Sequence, residues 1–127
     1  CWISFSCRDS EFLNDGNKIT DAIRICSSTN NLFALGINCT APKYISSIIK
    51  KIRPFVKDKK IIVYPNSGEI YLPESKSWKG ISDPDIFQKM TSVWLDLGVN
   101  IIGGCCRIGP DHIAKLIKSK ENYRKSH

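Results

Sequence analysis

No apolar run in the sequence approaches the roughly 18 residues needed to cross a bilayer, which excludes a membrane-spanning helix. There is no GxGxxG segment and no P-loop, so the two common phosphate-cradling loops are absent. The start carries neither a secretory leader nor a methionine. The only methionine is Met90, so the chain reads as a segment of something longer. Histidine is scarce: His112 falls in the first turn of the last helix and His127 is terminal, and neither is placed as a metal ligand. Asp9, Glu11 and Asp15 read as solvated carboxylates of one polar loop, and no acid–base pair stands out.

Lys and Arg number 19 against 12 Asp and Glu, a net charge of +7. A nucleic-acid reader gathers such an excess into a patch with interleaved aromatics. Here Lys50, Lys51, Lys57, Lys59, Lys60, Lys115, Lys118 and Lys120 fall within helical patterns. They read as a solvated outer face, with no nucleic-acid partner. The six cysteines are too many to ignore. A secreted disulfide framework suits short, coreless chains, whereas this one has long apolar runs and periodic helices. Reduced thiols in the cytoplasm are expected.

The chain alternates strands and helices. Trp2 to Cys7 alternates large apolar and small polar residues, as a strand does. After a polar loop closed by Asp15-Gly16, Lys18 to Ser28 places Ile19, Ala22, Ile23 and Cys26 at helical spacing. Leu32 to Cys39 is nearly all apolar and reads as a strand buried on both faces. Pro42 opens a helix with an Ile45, Ile48, Ile49, Ile52 stripe, expected to end before Pro54. Ile61 to Tyr64 is a third strand, stopped by the turn Pro65-Asn66-Ser67-Gly68, and Glu69 to Ser82 reads as a polar loop. Asp83 and Pro84 start a helix predicted to bury Ile86, Phe87, Met90, Val93, Trp94 and Leu97, ending at Gly98. Val99 to Gly104 is the fourth strand, and Pro110 opens a last helix on Ile113, Leu116 and Ile117.

Four strand–helix units, with strand starts roughly 30 to 38 residues apart, imply an α/β fold with parallel strands and right-handed crossovers. Each strand ends in its least ordinary residues: Ser6-Cys7, Asn38-Cys39, Pro65 to Gly68, and Gly104-Cys105-Cys106. Enzymes with (β/α)₈ barrels place chemistry at the C-terminal ends of their strands, and four units are half of such a barrel.

Cys105 and Cys106 follow two glycines that let the backbone turn and approach closely, so both sulfurs can reach one point. Cys39 closes another apolar strand and is the natural third donor. Three thiolates and an open position match a catalytic zinc site more than a closed four-ligand one. Cys1, Cys7 and Cys26 lack that context, and Cys26 reads as core. A tri-thiolate zinc carries a formal charge of −1, which makes it poor at splitting water. It is well suited to binding a further thiol as a thiolate, and the chemistry implied is thiol alkylation. Asn66, Ser67 and Glu69, at the end of the third strand, are candidates for binding substrate.

Four segments together, Ser4-Phe5-Ser6-Cys7-Arg8-Asp9, Gly36-Ile37-Asn38-Cys39, Val63-Tyr64-Pro65-Asn66-Ser67-Gly68-Glu69 and Gly103-Gly104-Cys105-Cys106-Arg107, resemble the homocysteine S-methyltransferases. The closest likeness is to the branch using S-methylmethionine or S-adenosylmethionine. The resemblance implies a (β/α)₈ TIM barrel of which residues 1–118 form the last four units, the C-terminal half; residues 119–127 read from composition as a polar tail, with fraying expected from Lys118 on. It implies zinc on Cys39, Cys105 and Cys106, with the sulfur of homocysteine in the fourth position. The zinc-bound thiolate would take a methyl group from the sulfonium donor, giving methionine, with no protein nucleophile. Asn38, Asn66 and Glu69 are the substrate contacts expected on this reading. The family's Asp-Gly-Gly segment and the glutamate that hold the amino-acid end of homocysteine have no counterpart here. The alternative is therefore an inactive half-barrel that keeps zinc for structure. Four strands also leave two unpaired edges, open to self-association or to a missing N-terminal half.

Overall fold

A computed structural model describes residues 1–126; His127 lies outside the described residues. In chain order the elements are β1 (Trp2–Phe5), α1 (Ile19–Ser27), β2 (Ala34–Asn38), α2 (Pro42–Val56) and β3 (Lys60–Tyr64). They continue as β4 (Ile70–Leu72), β5 (Ser77–Lys79), α3 (Pro84–Asp96), β6 (Ile101–Ile102) and α4 (Pro110–Ser126). Strands β1, β2, β3 and β6 form one sheet in that order, and every pairing in it is parallel. The α/β class with four parallel strand–helix units is the architecture the periodicity predicted.

The register explains the core. Ile3, Leu35 and Ile61 stand in one row across the sheet, and Phe5, Ile37, Val63 and Ile102 in the next. Alternation sends these rows to one face, where they pack with Ile23 of α1, Ile45, Ile48, Ile49 and Ile52 of α2, and Trp94 of α3. The α2 stripe at i, i+3, i+4 and i+7 is wholly inaccessible, and each such side chain contributes about 1.5–3 kcal/mol of burial. Contrary to expectation, α2 does not stop before Pro54. Pro54 sits on the exposed side of the last turn, where solvent can replace the lost backbone bond, and buried Val56 anchors that turn.

The two C-terminal helices bury different stripes from those predicted. In α3 the Asp83 carboxylate accepts the amides of Asp85 and Ile86 at 2.8 and 3.4 Å, as a cap should. The buried set is Phe87, Thr91, Trp94 and Leu95, while Ile86 and Val93 are 47% and 48% exposed. In α4, His112, Leu116 and Ser119 face inward, and Ile113 and Ile117 do not. The reason is the seam between these helices, which carries polar links. The Ser119 hydroxyl donates to the Gln88 carbonyl at 3.2 Å and accepts from the Ser92 hydroxyl at 3.4 Å, while Thr91 satisfies its own hydroxyl within α3 on the Phe87 carbonyl at 2.9 Å. Small polar residues let the helices approach, and the larger aliphatics are turned outward. Helix α4 also runs on through residues 119–126, where fraying was expected.

Two stretches differ in kind. Glu69 to Ser82, read as loop, contains an antiparallel hairpin, β4 with β5, whose Tyr71 and Trp78 rings lie 5.2 Å apart. Strand β6 is shorter than Val99–Gly104, although Asn100 and Gly103 extend its ladder by donating to Ile61 and Val63 at 2.9 Å each. Gly36 fixes how closely β2 and β3 approach, because a Cβ there would lie 1.6 Å from the Ile62 carbonyl oxygen. Gly109 has open space around it. Gly36→Ala should lower unfolding free energy by at least ~2 kcal/mol in urea titrations, and Gly109→Ala should stay within ~0.5 kcal/mol of the parent.

Candidate metal centre

The ends of β2 and β6 bring three sulfurs together across the end of β3, which lies between them. Just past β2, Cys39 has a left-handed backbone, φ +47°, uncommon for a non-glycine residue. Its amide donates to the Tyr64 carbonyl at 3.0 Å, and its carbonyl accepts the Asn66 side-chain amide at 3.1 Å. Past β6, the Cys105 amide donates to the Pro65 carbonyl at 2.9 Å, and the Cys106 carbonyl accepts the Ser67 amide at 3.1 Å. Gly104 permits a close approach, since a Cβ there would sit 2.1 Å from an Ile108 methyl. The reversal itself is made at Arg107, φ +64°, and not at Gly103 or Gly104.

The Cys39 and Cys106 sulfurs are 3.4 Å apart, Cys105 and Cys106 are 3.9 Å apart, and all three lie within 4.8 Å of one another. Four-coordinate thiolate ligation at about 2.3 Å, with tetrahedral angles, needs sulfur–sulfur separations near ~3.8 Å. The 3.4 and 3.9 Å separations lie on either side of that spacing, within shifts of a few tenths of an ångström. Among the described residues it is the only group of three or more Cys, His, Asp or Glu side chains that close.

The three thiols are electrostatically unequal. Burial, and then hydrogen bonding to Cys105 and Cys106, pushes the Cys39 thiol up to about 12. Burial acts the same way on Cys105, but hydrogen bonds from the Cys39 thiol, the Cys106 amide and the Cys106 thiol outweigh it and leave that pKa below the ordinary value. One proton leaves the cluster readily, and removing more places like charges a few ångströms apart. A divalent cation resolves that repulsion. Cys7 is different: buried in the core, its thiol is pushed up to about 11 by burial, despite a hydrogen bond to Thr40. Cys26 packs partly buried against the core, as expected, and Cys1 is exposed.

His112, set aside as a ligand, is a buried structural residue. Its Nδ1 accepts the Gly109 amide at 3.3 Å, which assigns the proton to Nε2, 3.0 Å from the Ser82 hydroxyl. Asp9 and Asp15 hold their own loop: Asp9 accepts the amides of Glu11 and Phe12 at 2.8 Å, and Asp15 that of Asn17 at 2.9 Å.

Beside Cys39 lies a cavity of about 330 Å³ whose walls include Arg8, Lys43, Asn66, Glu69 and Ile70. Both polar groups of the Asn66 side chain are engaged within the chain, one with Cys39 and the other with the Gly68 amide at 2.9 Å. The Glu69 carboxylate is engaged as well, by Arg107 and Ser67. Asn38 sits on the other side, in an open cleft of about 400 Å³ with Ser4, Ser6 and Asn14. Two contributors escaped the sequence reading. Thr40 is buried, accepts the Cys7 amide at 2.9 Å and ties the ends of β1 and β2 together. Arg107, adjacent to the cysteine pair, reaches Glu69 from 38 positions away, a pairing that no local pattern signals.

Parallel strand–helix units with three cysteine sulfurs that could hold a metal ion gathered at the C-terminal ends of the strands define an α/β protein of the barrel-forming kind. Residues 1–119 match the family described as homocysteine S-methyltransferase, and the chain belongs to that family. It is 39% identical over 120 residues to homocysteine S-methyltransferase 3 of Arabidopsis thaliana, covering 92% of this chain and 34% of that protein. It is 39% identical over 115 residues to the homocysteine S-methyltransferase YbgG of Bacillus subtilis, covering 91% and 36%. Its fold superimposes on the oxidised form of the Escherichia coli homocysteine methyltransferase MmuM with a TM-score of 0.72, at 31% identity, over 92% of this chain and 35% of that one. The chain thus spans about a third of the length of these relatives.

The unequal thiols make a direct prediction. In the reduced, metal-free protein at neutral pH, Cys105 should be alkylated by iodoacetamide before Cys39 and Cys7, whose thiols are raised, Cys7 being shielded by burial as well. Peptide mapping by mass spectrometry reads the order, and a faster Cys7 than Cys105 would contradict the assignment.

Proposed function

We propose that this chain supplies the zinc-binding part of an enzyme that methylates the sulfur of homocysteine from a sulfonium donor, S-methylmethionine or S-adenosylmethionine. The observation that carries the reading is the sulfur trio, whose separations fit tetrahedral thiolate ligation within a chain of this family. A coincidental core cluster would not place three thiols from two non-neighbouring strands around one point, with none of them fully buried and Cys106 exposed. Cys39, Cys105 and Cys106 would hold the ion in this reading, and the exposure of Cys106 leaves the cluster reachable from solvent.

Zinc bound there supplies a site at which a further thiol loses its proton and remains nucleophilic. In the net reaction a carbon–sulfur bond forms to the homocysteine sulfur as the sulfonium carbon–sulfur bond breaks. Its electron pair stays on the departing thioether, so neither a general acid nor a protein nucleophile is needed. That agrees with a site in which the nearby carboxylates are occupied by the chain's own amides and arginine. The residues of the chain orient and enclose. Asn66 pins Cys39, Glu69 and Ile70 wall the cavity beside it, and Asn38 borders the cleft toward the sheet's open face. We assign Asn38, Asn66 and Glu69 to the substrate surroundings on that basis.

The lysines are spread over α2, α3, α4, β3, β5 and the turns between them, with Lys57, Lys59 and Lys60 in the turn after α2 and at the start of β3 instead of in a helix, and this spread supports a small-molecule partner over nucleic acid. No helix among the described residues is long and apolar enough to cross a membrane. Free thiols fit a reducing compartment such as the cytoplasm.

Elemental analysis of the chain purified without chelator should give about one zinc per chain, and Cys105→Ser much less. Metal affinity should rise with pH by about tenfold per unit for each thiol proton displaced, because the raised Cys39 thiol has to ionise on binding. A zinc-free, folded parent would sink the reading. Zinc without methionine formation from homocysteine and S-methylmethionine would instead select the half-barrel that keeps its metal for structure.

A further inference from the structure

Arg107 closes a ring of contacts around Cys106. Its Nε and Nη2 donate to the two Glu69 carboxylate oxygens at 2.7 and 3.3 Å, a two-pronged pairing. The Ser67 hydroxyl donates to the same carboxylate at 2.9 Å, and the Ser67 amide donates to the Cys106 carbonyl at 3.1 Å. Arg107 follows Cys106 directly, so the ring returns to the cysteine it started from. The guanidinium carbon lies 5.2 Å from the centre of the Trp78 ring on β5, which brings the hairpin into the assembly. Gly80 makes room for it, since a Cβ there would be 3.1 Å from the Glu69 Cα.

We propose that Arg107 is a positioning residue: through Glu69, Ser67 and Trp78 it holds the Cys106 segment where its sulfur meets those of Cys39 and Cys105. The proposal rests on the reading of these three cysteines as a metal-ligand set. An ordinary surface ion pair is the plainer account, and such pairs do little. Three features separate this one. The Glu69 side chain is only 7% exposed, its carboxylate has a third donor in Ser67, and Arg107 occupies a left-handed conformation that something has to maintain. The carboxyl of Glu69 is held below its usual range, chiefly by Arg107 and then by Ser67, so the pair stays charged at neutral pH. Lysine carries the charge but not the planar fork, so it cannot span both oxygens from the same backbone position.

Hydrogen exchange followed by NMR on metal-free parent, Arg107→Ala, Arg107→Lys and Glu69→Gln tests this without any turnover assay. The Ser67 and Cys105 amides, which bond the Cys106 segment to the end of β3, should exchange about tenfold faster in Arg107→Ala. Arg107→Lys should fall between, and the amides of Ile48 and Ile49 in α2 should not change. Equal exchange in parent and variants overturns the proposal. Acceleration shared by α2 does so too, because the residue would then hold the fold at large. If Arg107→Ala does not fold, Arg107→Lys and Glu69→Gln give the same readout. As a second measurement, zinc release to a chelator should be about tenfold faster from Arg107→Ala at unchanged stoichiometry, and equal release overturns the role toward the metal. A parent that binds no zinc but shows the expected exchange pattern would defeat the metal reading and leave the positioning of Cys106 standing.

Discussion

The carbonyls of Tyr64 and Pro65, consecutive residues at the end of β3, hold the backbone of both segments that carry the three cysteines. Everything about the site depends on that. Strands β2 and β6 are not neighbours; β3 separates them, so sulfurs at their ends meet only if both chains bend inward over the end of the middle strand. The parallel sheet makes such a meeting available, because all four strands finish at the same end. The proline at position 65 suits the place: a residue that leaves the ladder has no amide to offer it, and its carbonyl is free to accept Cys105. A one-residue slip of β3 against β2 would move both carbonyls and turn the core rows outward together, so the register that buries Ile37 and Val63 also sets where the cysteine segments meet.

The three thiols of the cluster are not electrostatically equivalent. Three thiols within 4.8 Å share hydrogen bonds that favour one ionised sulfur and oppose the next. Two residues of the site, Cys39 and Arg107, have positive φ, a conformation that costs a side-chain-bearing residue about 1–3 kcal/mol. The surrounding contacts over-determine that arrangement: Asn66 and Tyr64 on Cys39, Ser67 and Glu69 around Arg107. The chain has already met the cost of convergence, and the three sulfurs stand together within its own contacts. The same economy explains why the carboxylates near the site are unsuited to acid–base work, each being committed to backbone amides or to arginine.

Much of this was legible in the amino-acid order because it is local. The isoleucine stripe of α2, the cap at Asp83 and the apolar run of β2 are periodic or adjacent features, and the structure has each of them. The cysteine set was legible for another reason, since adjacent cysteines after two glycines have few uses apart from ligation. What escaped is non-local. The buried faces of α3 and α4 are set by their mutual seam, where Thr91 and Ser119 displace larger aliphatics, and neither helix's own pattern contains that information. The hairpin formed by β4 and β5 was hidden by the polarity of the residues around it. Tyr71 and Trp78, both strand-favouring and placed across a turn, were the signal available. Glu69 was read by its position at a strand end, and its arginine partner could be found only in space.

The geometry also separates two properties that the short chain might be thought to lose together. The open side of the sheet bears Trp2, 55% exposed, and the row Ser4, Gly36, Ile62 and Ile101, with Ser4 hydrogen-bonded to the Tyr64 hydroxyl. Strands β1 and β6 each leave one edge unpaired within the described residues. Parallel sheets are ordinarily covered on both faces, so edge and face call for further strands, from the rest of a longer chain or from another molecule. The sulfur trio calls for none. Its cysteines stand at the ends of β2 and β6, its supporting carbonyls come from β3 and its outer ring of contacts from the hairpin, all within this chain. Convergence of the three sulfurs therefore needs only contacts that these four strand–helix units supply.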